Sequence, residues 1–283
     1  MLKITLENEA GKKLTFGMGS PFTISEVDGI DPPAAKINTS QMALIDGAKF
    51  NSAKVDVRTI NIAFAIEYSA PENRVAVYDV LKISKPIKLH YSGDVRDVYI
   101  SGYVKSINIS YFAKKQICTC QILCPSPFFM DAEMGENVLS SVVAGFHFPF
   151  ASTATPELLF GYNTKNTGVS IVNDGDVDCG LIIEMYARSE VVNPKIFNYL
   201  TSEYFGLDFT MQTADLITID TRQGQKTVKL LRNGEVTNIF NRITQGSTWL
   251  QLPAIGGTFV YETENTNGFL SIVFRHNNLY EGV

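Results

Sequence analysis

Three cysteines lie close together in the segment CTCQILCPSPFF (118–129), and cysteine thiolates are soft metal ligands. A structural zinc site usually combines two closely spaced pairs of Cys or His, so that four ligands close a tetrahedron. Here the spacing is C-x-C-x3-C, Cys179 lies far along the chain, and the histidines are isolated from one another. In an extended strand, Cys118, Cys120 and Cys124 point to one face. The spacing therefore favours a core-facing strand with reduced thiols over a metal site or a disulfide.

The segment NDGDVD (173–178) carries three aspartates at a spacing that resembles an oxygen-rich calcium loop. An EF-hand loop needs a bidentate glutamate at its twelfth position and a helix on either side. With Asp174 as the first ligand, Glu184 stands at the eleventh position, and no flanking helices are expected. We therefore interpret the segment as a tight polar turn between strands.

Other signatures of catalysis are missing from the sequence, which contains no GxSxG, HExxH, Walker or GxGxxG motif. Carboxylates near aromatic residues occur in YETE (261–264) and SEYF (202–205), but a glycosidase depends on the separation of two carboxylates across a cleft, and we interpret these residues as solvated strand ends. Trp249, the only tryptophan, could stack on a sugar ring, although a strand tryptophan usually packs in the core. The sequence predicts neither an enzyme nor a cofactor, and leaves carbohydrate binding open.

The length and composition indicate a folded, globular protein. With 283 residues, the chain can form two domains with separate cores, or a single large β domain. Hydrophobic residues make up 45% and charged residues 19%, which excludes a disordered or fibrous chain.

Charge and hydropathy exclude two classes of partner. The net charge of -5 comes from 24 basic and 29 acidic residues, without a run of Lys and Arg that could neutralise a nucleic acid backbone. The first residues, MLKITLENEAG, contain no apolar signal segment, and no stretch approaches the roughly 18 apolar residues of a membrane span. We therefore expect synthesis in a cytoplasm, no sequence-specific binding of nucleic acid and no membrane insertion.

Alternating apolar residues predict that most of the chain forms β-strands. The clearest case is VDVRTINIAFAIE (55–67), in which one face is apolar and the other polar, as in a half-buried antiparallel strand. One helix is expected over ENRVAVYDVLKI (72–83), whose apolar residues follow helical spacing between two prolines. The pair Asn233-Gly234 predicts a two-residue hairpin turn.

A composition shift indicates a second domain. It follows the Pro-rich stretch 125–127, after which residues 130–168 mix Gly, Ser, Thr and Asn with short apolar patches. We interpret this region as a connection that opens the second domain. The predicted domains are residues 1–129 and residues 130–283, with proteolytic cleavage expected between 130 and 168.

Several motifs, in their order along the chain, resemble those of siphophage distal tail proteins. In the second half they are SIVNDGDVDCGLIIEM (170–185), NPKIFNYLTSEYFGLDF (193–209) and the region 216–263, which contains IDT, K-x-V-x-L before an Asn-Gly hairpin, and G-S-x-W. In the first half they are DGAKFNSAKVDVRTINIAF (46–64) and ILCPSPFF (122–129). The resemblance covers nearly the whole chain, and the ordered set is more specific than any single motif.

This resemblance implies a mainly β fold, in which an N-terminal tail-tube-like β-sandwich with one helix (1–129) precedes a linker and a C-terminal galectin-like β-sandwich (130–283). It further implies a structural hub of a phage or prophage tail tip, in which a hexameric ring continues the DNA channel. The implied partners are other copies of the chain, the tail tube protein, the tail-associated or tail fibre protein, and receptor-binding proteins. The implied location is the baseplate at the virion tail tip, after synthesis in the bacterial host cytoplasm.

The stretch DPPAAKINTSQMALIDGAKFNSAKV (31–55) is the candidate contact between subunits. It is too long for a hairpin loop, and it contains apolar residues that a solvated loop would not normally expose, namely Met42, Leu44, Ile45 and Phe50. Because tail-tube-like subunits extend a loop onto the neighbouring protomer, we expect an arm whose apolar residues are buried only in the assembled ring. The alternative is a loop folded over its own domain.

Two other functions are compatible with the sequence. A galectin-like sandwich could act as a carbohydrate-binding, lectin-like adhesion protein of the tail tip, although region 130–168 holds no insertion long enough for an added carbohydrate-binding module. A cell-wall hydrolase of the tail tip is less favoured, because the sequence holds no catalytic set.

Overall fold

The structure is a computed structural model that describes residues 3–17, 19–43, 46–113, 115–139, 168–265 and 269–283, together with the backbone of 142–144 and 161–163. The structure is mainly β, because strands form 56% of the described residues, which contain a single α-helix. The sheets are antiparallel and none of them closes on itself. The predicted fold class, mainly β with one helix, is confirmed.

The chain divides into two compact units. The first comprises Met1–Ala132 together with Leu279–Val283, and the second comprises Glu133–Asn278. The segment Leu279–Val283 therefore belongs to the first unit, although the whole second unit precedes it in the sequence.

The first unit is built on one large sheet and one helix. Its elements in chain order are β1 (Lys3–Asn8), β2 (Lys13–Phe16), β3 (Phe22–Asp28), β4 (Ala35–Gln41), β5 (Ala48–Val55), β6 (Arg58–Ile66), α1 (Ala70–Val80), β7 (Pro86–Ser92), β8 (Asp97–Ile109), β9 (Gln116–Cys124) and β10 (Phe129–Asp131). The strands of the large sheet run in the order β2-β1-β7-β8-β9-β6-β3, and β10 pairs with β8. Strands β4 and β5 form a separate two-stranded ribbon.

The core of the first unit contains the cysteine strand. In the β6–β9 pair, Phe64 lies opposite Cys118 and Ile62 lies opposite Cys120, and all four side chains are buried. Burial raises the pKa of Cys118 and Cys120 to about 12 and that of Cys124 to about 11, because a thiolate is poorly solvated in the core. The prediction of a core-facing strand is therefore confirmed.

Helix α1 begins at Ala70 and ends at Val80, with a proline in its first turn. Proline is tolerated there because the first N–H groups of a helix have no intrahelical acceptor. Val77 and Val80 are buried, and the N–H of Leu81 closes the last turn on the carbonyl of Val77 at 2.8 Å. The predicted helix exists but ends earlier than expected, since Leu81 leaves the helical backbone conformation. In the described chain, no helix combines the length and hydropathy of a membrane span.

The second unit contains two main sheets that face each other. Its strands are β11 (Gly135–Leu139), β12 (Val142–Ala144), β13 (Gly161–Asn163), β14 (Gly168–Ile171), β15 (Cys179–Ala187), β16 (Val191–Val192), β17 (Lys195–Asn198), β18 (Glu203–Gly206), β19 (Thr210–Met211), β20 (Leu216–Asp220), β21 (Thr227–Arg232), β22 (Glu235–Asn238), β23 (Gln251–Leu252), β24 (Gly257–Glu262) and β25 (Leu270–His276), and a short 3-10 helix spans Phe240–Arg242. The main sheets have the orders β11-β25-β15-β20-β21-β22 and β14-β24-β17-β18. The rings of Phe259 in β24 and Phe274 in β25 lie 5.2 Å apart, so the two sheets share one core.

Strand β26 (Leu279–Tyr280) follows the second unit and pairs with β10 in the first. Within the second unit, the hairpin predicted at Asn233-Gly234 is confirmed, since these residues join β21 to β22. Their φ angles are 52° and 82°. Two positive φ angles are the requirement of the type I′ turn that suits the twist of paired strands.

Candidate subunit-contact site

The ribbon of β4 and β5 stands apart from the sheet of the first unit. Its two strands pair with each other, and the described chain contains no third strand that pairs with either of them. Every residue of β4 is exposed, and so is every residue of β5 except the half-buried Val55. An isolated two-stranded hairpin is at best marginally stable in water. The ribbon is therefore not covered by its own unit, and it offers both of its faces for contact.

The register of the ribbon collects apolar side chains on one face. Residues that lie directly opposite each other in paired strands share a face, and Ile37 lies opposite Ala53 while Thr39 lies opposite Phe50. Ile37 and Phe50 are each 61% exposed. We call this face, which also carries smaller side chains, the apolar face: Ala35, Ile37, Thr39, Gln41, Ala48, Phe50, Ala53 and Val55.

The opposite side of the ribbon is polar and positively charged. Lys36 lies opposite Lys54, and Lys49 lies opposite Ser40. The amide of Asn38 donates a hydrogen bond to the hydroxyl of Ser52 at 3.0 Å on this side, which braces the two strands. We call this side the lysine face: Lys36, Asn38, Ser40, Lys49, Ser52 and Lys54.

Two of the four predicted contact residues, Phe50 and Met42, fall on or near the ribbon. Phe50 lies in β5 on the apolar face, and Met42 follows β4 and is 50% exposed. Leu44 and Ile45 lie outside the described residues, so their positions stay a prediction. Ile37 was not predicted as a contact residue, because it becomes recognisable only once the register pairs β4 with β5.

A buried arginine holds the root of the ribbon. Arg58, at the start of β6, is only 4% exposed. Its Nη1 donates to the main-chain carbonyls of Gly29 at 2.9 Å and Asp31 at 3.0 Å, which belong to the segment that enters the ribbon. Its Nε donates to the carbonyl of Pro127 at 2.6 Å, and its Nη2 donates to the carbonyl of Glu281. One guanidinium therefore joins three separate segments of the first unit.

The surroundings of Arg58 explain how a cation is tolerated in the core. Burial lowers the pKa of Arg58 from its ordinary value, because the charged form loses its water. Main-chain carbonyl oxygens replace that water, and the guanidinium also lies 4.9 Å from the ring centre of Phe129. The role of Arg58 is structural, since four hydrogen bonds to main-chain carbonyls hold it and it is almost closed to solvent.

The segment 279–283 completes this part of the first unit. Tyr280 is buried, and the guanidinium of Arg96 lies 4.3 Å from the centre of its ring. Arg96 also donates a hydrogen bond to the carbonyl of Gly282 at 3.1 Å. The segment 279–283 therefore packs into the same part of the first unit that holds the ribbon root.

The free edge of the large sheet is acidic. Strand β3 pairs with β6 on one side and forms the end of the strand order. After a register shift between Ile24 and Glu26, the side chains of Glu26 and Asp28 lie beside Ala63 and Asn61 on the outer face of the sheet. They line an open groove of about 360 Å³ together with amide and hydroxyl side chains of neighbouring strands. We call Glu26 and Asp28, with the groove beside them, the acidic edge.

The sites considered for metal binding do not assemble. Among the described residues, no group of three or more His, Cys, Asp or Glu side chains lies close enough together to hold a metal ion. The aspartate segment 173–178 forms a polar loop, in which the buried Asn173 donates to the carbonyl of Leu252 at 3.3 Å and accepts a hydrogen bond from the N–H of Gly175 at 2.9 Å. Asp178 accepts a hydrogen bond from the N–H of Ala254 at 2.9 Å, so it supports the loop.

Trp249 is half-buried rather than fully buried, so its prediction as a core residue is only partly correct. Its ring centre lies 5.2 Å from that of Phe205 and 5.7 Å from that of Phe240. The ammonium group of Lys226 lies 5.4 Å from the indole. These contacts occupy much of the surface that a stacked sugar ring would need.

The second unit exposes apolar residues at one end of its four-stranded sheet. Val172 follows β14, Tyr199 and Leu200 follow β17, and Ile255 precedes β24, the strand that pairs with both. Their exposed fractions are 69%, 79%, 54% and 83%. Apolar residues grouped in this way on a protein surface are typical of contact sites for other proteins.

Comparison with solved structures identifies the fold. The crystal structure of the SPP1 Dit (gp 19.1) protein, described as a paradigm of the hub adsorption apparatus in phages that infect Gram-positive hosts, matches with a TM-score of 0.68 at 12% identity and covers 97% of this chain and 98% of that one. The baseplate of phage P2 in its activated conformation matches with a TM-score of 0.57 at 11% identity in the presence of Ca, and with a TM-score of 0.52 at 10% identity in the presence of Sr. Both matches cover 100% of each chain.

Sequence comparison adds nothing to this result. No protein-family model matches the chain, and no curated protein matches it significantly. The likeness thus lies in the arrangement of strands, which persists although few residues are identical. The resemblance predicted from ordered motifs is confirmed at the level of the fold, and the chain has the β-sandwich fold of a phage hub protein over nearly its whole length.

Proposed function

We propose that the chain is a structural hub of a phage tail tip, in which six copies form a ring. The ring would continue the DNA channel and join the tail tube to the tail-associated and receptor-binding proteins. The observation that carries this proposal is the exposed, amphipathic ribbon of β4 and β5, on a chain whose fold is that of a phage hub protein.

The ribbon supports assembly because its apolar face has no partner within the described chain. Full burial of a side chain such as Ile37 or Phe50 is worth about 1.5 to 3 kcal/mol. Both residues are mostly exposed in the single chain. A neighbouring copy would cover them, and a head-to-tail contact of this kind closes into a ring when the rotation between copies divides a full turn.

The charge of the chain suits a channel subunit. DNA has to slide through such a ring without adhering to it, and basic residues would attract its phosphates. The chain carries a net charge of -5 and therefore gains no general attraction for DNA. Location at the virion tail tip follows from the proposed function.

The second unit, proposed to be a galectin-like domain, offers a site for the outer partners. The exposed end formed by Val172, Tyr199, Leu200 and Ile255 is the surface that we assign to a receptor-binding or tail fibre protein. Aromatic and aliphatic anchors of this type contribute much of the binding energy at protein interfaces.

Replacement of the apolar side chains tests the proposal. The variant Ile37→Ser with Phe50→Ser should remain folded and monomeric at concentrations at which the unmodified chain forms six-copy rings, as measured by analytical ultracentrifugation and negative-stain microscopy. The matched control is Val75→Ser with Val95→Ser, which changes exposed apolar residues of the first unit outside the ribbon. The control should still form rings.

Two outcomes would contradict the proposal. An unmodified chain that stays monomeric at every accessible concentration would argue against a ring-forming hub. Specific binding of the chain to a glycan array, lost in a Trp249→Ala variant, would favour the lectin-like alternative instead.

A further inference from the structure

We propose that the lysine face of the ribbon binds the acidic edge of a second copy of the chain. This inference rests on the proposed function, because it names the surface that the ribbon meets in the ring. It assigns the two sides of the ribbon to different tasks: the apolar face supplies burial, and the lysine face selects the position of the neighbour.

The two surfaces carry opposite charges that are not mixed with charges of the other sign. Strands β4 and β5 contain three lysines and no acidic residue. Strand β3 contains Glu26 and Asp28 and no basic residue. Because the whole chain is acidic, a lysine-only ribbon is not a consequence of its general composition. Charge complementarity of this kind steers association and fixes the register of an interface.

The lysines are poorly compensated within their own chain. Lys36 and Lys54 lie directly opposite each other, and like charges in this position destabilise a strand pair. Lys54 has an ion pair with Asp56 at 3.2 Å, beyond the end of β5. In the described part of the chain, neither Lys36 nor Lys49 has an ion pair. A negatively charged surface placed over the lysine face would relieve this repulsion.

The root of the ribbon explains why the acidic edge must come from another copy. The segment between β3 and β4 contains Pro32-Pro33, whose φ angles are restricted, and its carbonyls at Gly29 and Asp31 are held by Arg58. A connection fixed in this way does not let the ribbon fold back onto the strand that precedes it. In agreement with this, the described ribbon makes no strand pairing with β3.

The acidic edge is also suited to receive a neighbour. A strand at the end of a sheet presents unpaired main-chain groups, and bulges and charged residues at such an edge prevent indiscriminate pairing. Strand β3 has both features, with a register shift before Glu26 and carboxylates after it. An edge of this kind disfavours uncharged strands and admits a partner that brings positive charge.

Charge reversal tests the contact. The ribbon variant is Lys36→Glu with Lys49→Glu, and the edge variant is Glu26→Lys with Asp28→Lys. Each variant alone should raise the concentration at which half of the chains are assembled by roughly tenfold or more. An equimolar mixture of the two should recover assembly, because each ribbon then meets an edge of opposite charge. The control, Lys82→Glu with Lys85→Glu, reverses two exposed lysines near α1 and should assemble normally.

The design separates assembly from folding. Lys36→Glu places a carboxylate opposite Lys54, which replaces a repulsive pair by an attractive one and should stabilise the ribbon itself. Loss of assembly in this variant therefore cannot result from a ribbon that comes apart. Thermal unfolding followed by circular dichroism should show the same melting temperature for all variants.

The outcomes distinguish this inference from the proposed function. If the unmodified chain forms rings but the mixture shows no recovery, the ribbon meets a different surface and the inference is wrong, while the hub proposal stands. If the ribbon variant assembles normally but loses binding to added duplex DNA, the lysines contact nucleic acid and the inference is again overturned. If the unmodified chain does not assemble, the proposed function fails with it.

Discussion

The guanidinium of Arg58 donates a hydrogen bond to the main-chain carbonyl of Glu281, a residue 223 positions later in the sequence. The same guanidinium holds the carbonyls of Gly29 and Asp31 at the ribbon root. The segment 279–283 and the ribbon are thus attached to one buried group. The ribbon, which we assign to assembly, is therefore supported by a segment that follows the whole second unit in the sequence.

Replacing Arg58 should destabilise the first unit strongly. Arg58→Met preserves much of the side-chain volume but leaves buried carbonyls at Gly29, Asp31 and Pro127 without their donor. The expected loss is roughly 3 to 5 kcal/mol in the free energy of unfolding, measured by urea denaturation. Arg74→Met, at a half-buried position of α1 where the guanidinium lies over the ring of Tyr111, should cost about 1 kcal/mol. Equal losses for the two variants would show that the hydrogen bonds of Arg58 contribute little.

Removal of the Tyr280 ring should loosen the ribbon root, although the substitution lies outside the root itself. Tyr280 is buried and lies under the guanidinium of Arg96, so Tyr280→Ala creates a cavity beside the segment that carries the Glu281 carbonyl. We expect a loss of roughly 3 kcal/mol in stability and faster amide hydrogen exchange in residues 29–31, which precede the two prolines of the root. Unchanged exchange in that segment would mean that the two ends of the unit are not coupled through Arg58.

The sequence predicted the regular parts of this fold well, because local periodicity determines them. The alternation of Ile60, Ile62 and Phe64 needs only neighbouring residues to be recognised, and the turn at Asn233-Gly234 needs only two. The ribbon was harder, because its apolar face is assembled from two strands that contain mostly small and polar residues. Ile37 shares its face with Ala53 and Phe50 of the opposite strand, which only the register reveals.

The contacts of Arg58 could not have been predicted from sequence. Its position in the alternating segment 55–67 indicates a strand residue, but nothing in the local pattern shows that Pro127 and Glu281 approach it. Main-chain acceptors carry no residue-type signal, since every residue has a carbonyl group. For the same reason, the sequence does not indicate that the segment 279–283 belongs to the first unit.

The buried cysteines should be unreactive while the protein is folded. Burial raises the pKa of Cys118, Cys120 and Cys179 to about 12 and that of Cys124 to about 11, and only the thiolate reacts with disulfide reagents. At pH 8 we expect no labelling by a thiol-reactive dye within hours in buffer, and four labels per chain in urea.

The same pKa shifts predict how stability depends on pH. A thiol of the unfolded chain has a pKa of about 8.5, whereas the folded thiols stay protonated to higher pH. Their contribution to stability is therefore complete below about pH 8.5 and is lost as the pH rises toward the folded values. Rapid labelling of the folded chain at pH 8 would contradict this account of the cysteine strand.

An ion pair in the second unit should make that unit sensitive to acid. The carboxylate of Asp215 is 2% exposed and accepts hydrogen bonds from Arg232 at 2.8 Å and from the N–H of Gln212 at 2.7 Å. Burial alone would raise the pKa of Asp215, but these hydrogen bonds and the charge of Arg232 lower it. A lowered pKa contributes stability above the unfolded value of about 3.9, and this contribution is lost as the pH falls through the folded value.

The variant Asp215→Asn isolates this contribution. It should cost roughly 1 to 2 kcal/mol at pH 7, because it removes the ion pair while Arg232, whose side chain is 32% exposed, keeps part of its hydration. The difference between variant and unmodified chain should shrink below pH 4, where the carboxylate takes up a proton in the unfolded chain while it stays ionised in the folded chain. Denaturation followed by Trp249 fluorescence reports on the second unit specifically, since Trp249 is the only tryptophan. A difference that stays constant from pH 7 to pH 3 would contradict the assigned charge state.

Removal of the ribbon tip should abolish assembly and leave the fold intact. Replacing residues 38–48 by a short Gly-Ser turn deletes Met42 and most of β4 together with the predicted contact residues Leu44 and Ile45. The exposed ribbon contributes nothing to the core that contains Phe64, so the melting temperature should change by less than about 3 °C. Sedimentation should show monomers where the unmodified chain forms rings. A variant that melts normally and still forms rings at the same concentration would exclude the ribbon as the contact, whereas a large drop in melting temperature would show that the ribbon is needed for folding.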